Sequence, residues 1–75
     1  MLVSDLIREL EKYDPNLPVI RNGYEGGVDD IEGVNLTKIA LNVNTQWYVG
    51  KHEIIEDYDY RDYSQYPQVS AVIIN

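Results

Sequence analysis

Residues 22–30, Asn-Gly-Tyr-Glu-Gly-Gly-Val-Asp-Asp, interrupt a strand-like run and place three glycines beside three carboxylates. We call this segment the Gly-rich loop. Glycine adopts positive φ angles without a Cβ clash and lets another group approach the backbone closely. Three of the five glycines of the chain fall within five positions, which indicates a shaped loop rather than a plain linker. The simpler interpretation is a β-bulge or tight turn that sets strand register, and the alternative is a loop that contacts a ligand or partner.

An amphipathic helix is predicted before the Gly-rich loop, over about residues 3–13. Apolar residues recur there at three- and four-residue intervals with charged residues between them, which indicates one buried stripe that includes Tyr13. Ser4 is a suitable N-cap, and Pro15 ends the helix because the residue before a proline is pushed out of the α region. Leu17–Arg21 then has the character of a short first strand.

Two longer strands are predicted after the Gly-rich loop. Residues 34–44 alternate, with Ile39 on the buried face and Ala40 on the opposite, polar face. Gln68–Ile74 returns to strand character and is expected to pair with this central strand. Trp47–Val49 favours β structure and is interpreted as an edge strand or the wall of a pocket.

These elements predict a single α+β domain over residues 1–75. Its N-terminal helix is expected to pack on a small, mainly antiparallel sheet of three or four strands. A chain of 75 residues buries a smaller share of its surface than a larger one, and it has no cysteine with which to form a disulfide. We therefore expect a homo-oligomer. The chain carries no signal-like start and no apolar run long enough to span a bilayer, so a cytoplasmic location without membrane contact is expected.

An acidic, tyrosine-rich loop is predicted over about residues 56–67, because its composition is too polar for a core. The formal net charge of -7 repels phosphate backbones, so direct nucleic-acid binding is not expected. A solvated face is the ordinary interpretation of such a charge run, and a surface that binds a basic host protein is the alternative. The carboxylates of that partner-binding surface are Glu53, Glu56, Asp57, Asp59 and Asp62.

The sequence contains no complete catalytic or metal motif. The Gly-rich loop lacks both the following helix of a dinucleotide fingerprint and the Lys-Ser or Lys-Thr pair of a P-loop. Glu25, Asp29 and Asp30 offer oxygen ligands to a hard cation, but their spacing fits no known calcium loop. His52 has no second histidine at zinc-protease spacing, and no serine lies in a nucleophile elbow. We therefore predict a non-enzyme with no metal and no cofactor.

Aromatic composition is the most informative signal, with seven tyrosines, one tryptophan and no phenylalanine. A tyrosine ring combines an apolar face with a polar tip, which suits interfaces and pockets that stack a base. Together with cationic side chains, these rings can hold a small anionic ligand, whereas an adhesive dimer surface without ligand is the alternative. The predicted ligand-binding residues are Arg21, Gly23, Tyr24, Glu25, Gly26, Gly27, Trp47, Tyr48, Lys51 and His52.

The first half of the chain resembles a group of short proteins from bacteriophages and bacterial genomes. The similarity covers residues 3–10, 14–19 and 23–31, and its specific part is Gly-Tyr-Glu-Gly-Gly-x-Asp-Asp. The resemblance implies a small cytosolic accessory protein of a phage or prophage, a class that often blocks or titrates host components. One branch of such proteins is similar to oligomeric sponges that sequester nucleotide immune signals.

A counter-defence sponge for a small nucleotide signal is therefore the leading expectation. The alternative is an acidic protein-protein inhibitor or nucleic-acid mimic that blocks a basic host protein surface.

Overall fold

The α+β class is confirmed by a computed structural model, which describes residues 1–58 and 61–75. The strands form two antiparallel sheets rather than the single sheet predicted: a two-stranded sheet β1-β2 and a three-stranded sheet in the order β4-β3-β5. In chain order the elements are α1 (Val3–Leu10), β1 (Ile20–Asn22), β2 (Val28–Asp30), β3 (Val34–Ala40), β4 (Glu53–Ile54) and β5 (Gln68–Ile74).

The chain divides into two compact units. Unit 1 comprises Met1–Val34 with Ile74–Asn75, and unit 2 comprises Asn35–Ile73. The single domain predicted over residues 1–75 stays a prediction. Within the described part of the chain, no helix is both long enough and apolar enough to cross a membrane.

The N-cap of helix α1 lies two residues before the predicted cap, and the helix is shorter than predicted. Leu2, not Ser4, occupies the N-cap position, and the Asp5 carboxylate accepts a hydrogen bond of 2.8 Å from the Leu2 N–H. The α-helix ends at Leu10, after which the N–H of Tyr13 donates to the Leu10 carbonyl in a tighter turn. Tyr13 is 64% exposed, and no residue of α1 is buried; Val3 and Leu10 are 58% and 45% exposed. The prediction of a buried stripe along the helix is therefore wrong. The prediction of Tyr13 as a core residue is wrong.

Residues 23–27 of the Gly-rich loop form the turn of a β-hairpin. Strand β1 pairs with β2 in the register Ile20 with Asp30, Arg21 with Asp29 and Asn22 with Val28. The first strand thus starts later than predicted. Strand β2 was not predicted, because its two aspartates have low β propensity and only the pairing across the turn makes them a strand.

Strand β3 is the centre of the three-stranded sheet. The predicted alternation holds around its end, where Ile39 and Leu41 are half-buried and Lys38 is exposed. Ala40 is the exception, because it is fully buried although the alternation placed it on the polar face. The strand ends there because Asn42 adopts a φ of 56° and turns the chain. Strand β5 has the predicted bounds, Gln68–Ile74, and pairs with β3 as predicted.

The edge-strand interpretation of Trp47–Val49 is wrong. The segment is part of a loop, and the short edge strand is Glu53–Ile54 instead. Within the acidic tyrosine-rich loop, Tyr63 is only 7% exposed, although the polar composition predicts no core residue there. Its carbonyl accepts hydrogen bonds from the Tyr66 N–H and from the Gln68 side chain, which fix the segment locally. In residues 1–58 and 61–75, Ala40 and Tyr63 are the only buried hydrophobic residues.

Candidate functional site

The ten predicted ligand-binding residues fall into two loops. Arg21 and residues 23–27 belong to the hairpin of unit 1. The other four lie in residues 41–52 of unit 2, which we call the aromatic loop; they are Trp47, Tyr48, Lys51 and His52.

The hairpin presents Tyr24 on a backbone that has little freedom. The Gly23 N–H donates to the Gly27 carbonyl at 3.0 Å and closes the turn. Between them, Glu25 and Gly26 have φ angles of 59° and 143°, so the chain passes through conformations that L side chains rarely adopt. Tyr24 is 90% exposed. The loop therefore displays one aromatic ring to solvent on a constrained support.

Arg21 supplies the positive charge of the hairpin. It lies on β1 opposite Asp29 and is half-buried. Its Nε atom is buried and has no hydrogen-bond partner among the described residues. A buried donor without a partner is costly to the fold.

The aromatic loop is braced at its base by hydrogen bonds. The Asn44 side-chain amide donates to the Gly50 carbonyl at 2.8 Å and to the Glu53 carboxylate at 2.7 Å. The Asn42 N–H donates to Nδ1 of His52 at 2.9 Å, so Nδ1 carries no proton and a neutral ring carries its proton on Nε2. In this arrangement His52 and Glu53 support the loop.

Above this base, Trp47 and Tyr48 are displayed to solvent. Their side chains are 94% and 70% exposed, and the rings meet edge to face with centroids 5.7 Å apart and planes at 90°. Such a pair leaves ring faces open for a flat ligand, because the rings do not stack on each other. Lys51 is exposed on the same loop and supplies a cation.

No family model, curated protein or solved structure matches this chain. The functional interpretation therefore depends on the side chains of the two loops alone. Over residues 1–58 and 61–75, no three His, Cys, Asp or Glu side chains converge on a position that could hold a metal ion, and Glu25, Asp29 and Asp30 form no such group. Each loop instead offers one exposed ring system and one cationic side chain.

The carboxylates of the alternative, partner-binding surface occupy different environments. Glu53 is half-buried and accepts the Asn44 hydrogen bond, whereas Glu56, Asp57 and Asp62 are exposed. Hydrogen bonds from the backbone N–H and side chain of Ser64 lower the pKa of Asp62 below its usual range. Asp62 therefore stays ionised to lower pH than an ordinary aspartate. Asp59 lies outside the described residues.

The residues that hold the aromatic loop in shape, Asn42 and Asn44, were not predicted from the sequence. Asn42 takes the left-handed conformation, and Asn44 bridges the two sides of the loop. The available signal was the pair of asparagines two positions apart directly after a strand, because asparagine tolerates positive φ and readily bonds to nearby backbone.

Replacing Asn44 with alanine should lower the free energy of unfolding by about 1–3 kcal/mol, because the partners of its part-buried side chain lose their hydrogen bonds. Urea unfolding followed by circular dichroism measures this change. The neighbouring exposed Thr45→Ala is the matched control and should change stability by less than about 0.5 kcal/mol. Equal effects of the two variants would show that Asn44 does not brace the loop.

Proposed function

We propose that the protein is a non-catalytic binding protein that sequesters a small nucleotide-like signal. The observation that carries this proposal is the exposed Trp47–Tyr48 pair on a braced loop that also carries the exposed Lys51. Stacking of a base on an aromatic ring contributes about 1–3 kcal/mol and tolerates any base, because every base has a π face. Lys51 supplies the charge that a phosphate requires.

The hairpin supports the same ligand class with a second ring and a second cation. Tyr24 is almost fully exposed, and Arg21 has an Nε donor without a partner in the described residues. The guanidinium group binds phosphate oxygens through directed hydrogen bonds. Each loop by itself favours a ligand that combines a flat ring with negative charge.

The proposed biological role is counter-defence by a phage or prophage protein in the host cytoplasm. It rests on the resemblance of the Gly-Tyr-Glu-Gly-Gly segment, residues 23–27, to short phage proteins. A sponge lowers the free concentration of its signal in proportion to the amount of protein, so it needs tight retention and no turnover. The protein is proposed to act as a homo-oligomer that holds the ligand intact, without a metal or cofactor.

Trp47 is the only tryptophan of the chain, and its fluorescence reports directly on the proposed site. Titration with a panel of cyclic and linear nucleotides should quench its emission saturably for at least one member, and that nucleotide should be recovered unchanged. If no member of the panel altered the emission and calorimetry detected no binding, the nucleotide proposal would be wrong. Binding that consumed the nucleotide would contradict the non-catalytic role.

An acidic inhibitor of a basic host protein is the second candidate function. The observation that favours it is the exposure of Glu56, Asp57 and Asp62 within seven positions of a chain whose net charge is -7. Carboxylates in this arrangement attract a basic surface over distances of about 10 Å at 0.1 M salt and about 3 Å at 1 M salt. A nucleic-acid mimic would use the same charges.

The variant Glu56→Gln/Asp57→Asn/Asp62→Asn replaces three carboxylates with uncharged amides. It should lose binding to basic host proteins, which are first enriched on heparin and then eluted. Asparagine keeps an oxygen that can accept from the Ser64 N–H, so the variant removes charge while preserving the local turn. Asp29→Asn/Asp30→Asn neutralises two other exposed carboxylates and serves as the control. Pull-down at low and high salt measures the effect, and salt-insensitive capture by both variants would exclude this mechanism.

A further inference from the structure

Strand β5 has one paired edge and one open edge. It pairs with β3, and no strand within residues 1–58 and 61–75 pairs with its other side. Its seven residues, Gln-Val-Ser-Ala-Val-Ile-Ile, contain no charged residue and no proline. Natural sheets usually protect a long edge with lysine, proline, a bulge or a covering element, because an open edge is a template for another strand.

Hydrogen bonds at both ends of the β3–β5 ladder show which backbone groups face outward. Gly33 and Asn75 exchange two bonds, of 2.8 and 3.0 Å, and the Leu41 N–H donates to the Pro67 carbonyl at 2.9 Å. The odd-numbered residues of β5 therefore direct their N–H and C=O groups toward β3, because these directions alternate along an antiparallel strand. The outward groups belong to Gln68, Ser70, Val72 and Ile74.

Apolar side chains on β5 remain accessible, so a second copy that covered them would remove apolar surface from water. Val69, Val72 and Ile74 on β5 remain 41–47% exposed.

We propose that the outer edge of β5 pairs antiparallel with β5 of a second copy and forms a six-stranded sheet across a homodimer. A two-fold axis at Ala71 places Ser70 of each copy opposite Val72 of the other, and both residues direct their hydrogen-bonding groups outward. The strand is neutral, so its self-pairing sets no like charges opposite each other in a chain that is otherwise strongly acidic. The surface uses none of the ten candidate ligand-binding residues.

Sedimentation velocity of the full chain tests this pairing. The wild-type protein should be a dimer, and Ser70→Pro should weaken its dissociation constant about 10- to 100-fold, because one donor is lost from each copy. Proline at this position removes an outward N–H and leaves the hydrogen bonds to β3 in place. Ser70→Thr keeps the donor and should stay dimeric. A monomeric wild-type protein, or a Ser70→Pro protein that is folded and equally dimeric, would overturn the proposal.

Amide exchange of the wild-type protein tests the same pairing without a substitution. The Ser70 and Val72 amides have no intrachain partner strand in the described residues, and they should nevertheless exchange at least about 100-fold more slowly in the dimer than amides of exposed loops. This protection should fall on dilution, whereas protection of the Ala71 and Ile73 amides should persist longer. Rapid exchange at Ser70 and Val72 in a dimeric protein would place the interface elsewhere and overturn the proposal.

Discussion

Replacing Gly23 with alanine should lower the free energy of unfolding by about 1–3 kcal/mol, which is the usual cost of forcing atoms into occupied space. A Cβ atom at Gly23 would lie 2.5 Å from the Gly26 carbonyl oxygen and 3.3 Å from that of Gly27. Both neighbours are backbone atoms, so no side chain can swing aside. The turn can relieve the clash only by moving backbone that also forms the Gly23–Gly27 hydrogen bond.

Gly50→Ala is the matched control for this prediction. A Cβ atom there meets nothing within 4 Å, and the variant should unfold within about 0.5 kcal/mol of the wild-type protein. Urea denaturation at one fixed protein concentration, followed by circular dichroism, compares the three proteins without a contribution from changes in association. If Gly23→Ala were as stable as Gly50→Ala, the described hairpin geometry would be wrong.

Replacing Trp47 with alanine should weaken binding of the nucleotide ligand about 10- to 100-fold, the effect of losing one base-stacking ring. Stability should barely change, because the side chain is 94% exposed and supports little of the fold. Isothermal titration calorimetry with a nucleotide selected by the fluorescence panel measures the affinity, since this variant lacks the fluorescent residue.

Tyr58→Ala removes another highly exposed ring, 84% accessible and outside both candidate loops, and should leave the affinity unchanged. Tyr24→Ala separates the contributions of the two loops. If Trp47→Ala, Tyr24→Ala and Tyr58→Ala all bound the nucleotide like the wild-type protein, the ligand would stack on neither the Trp47 ring nor the Tyr24 ring.

Strand β5 and its pairing with β3 were predictable because Gln68–Ile74 is an uncharged run rich in β-branched residues, in which Val69, Ala71 and Ile73 occupy alternate positions. The burial of Ala40 on β3 was not predictable, because its small side chain carries little hydrophobic signal and its neighbours on the same predicted face, Lys38 and Asn42, are exposed. Tyr63 was missed for a related reason, since average polarity over a segment hides one buried ring.

The turn in the Gly-rich loop was predictable from its three glycines, whereas β2 depends on pairing across the turn. The ring and cation types of the candidate site were likewise visible in the sequence. Their distribution between two loops, and the bracing by Asn42 and Asn44, depend on hydrogen bonds between residues up to ten positions apart. No local pattern encodes such bonds.

Native mass spectrometry of the protein purified from cells that make the signal tests the proposed sequestration most directly. The proposal predicts a defined oligomer with bound small molecules, which denaturation should release as an intact nucleotide in a fixed ratio to the chain. A protein that is recovered empty, and stays empty after incubation with cyclic and linear nucleotides, would contradict it and favour a protein target for the carboxylates of Glu56, Asp57 and Asp62.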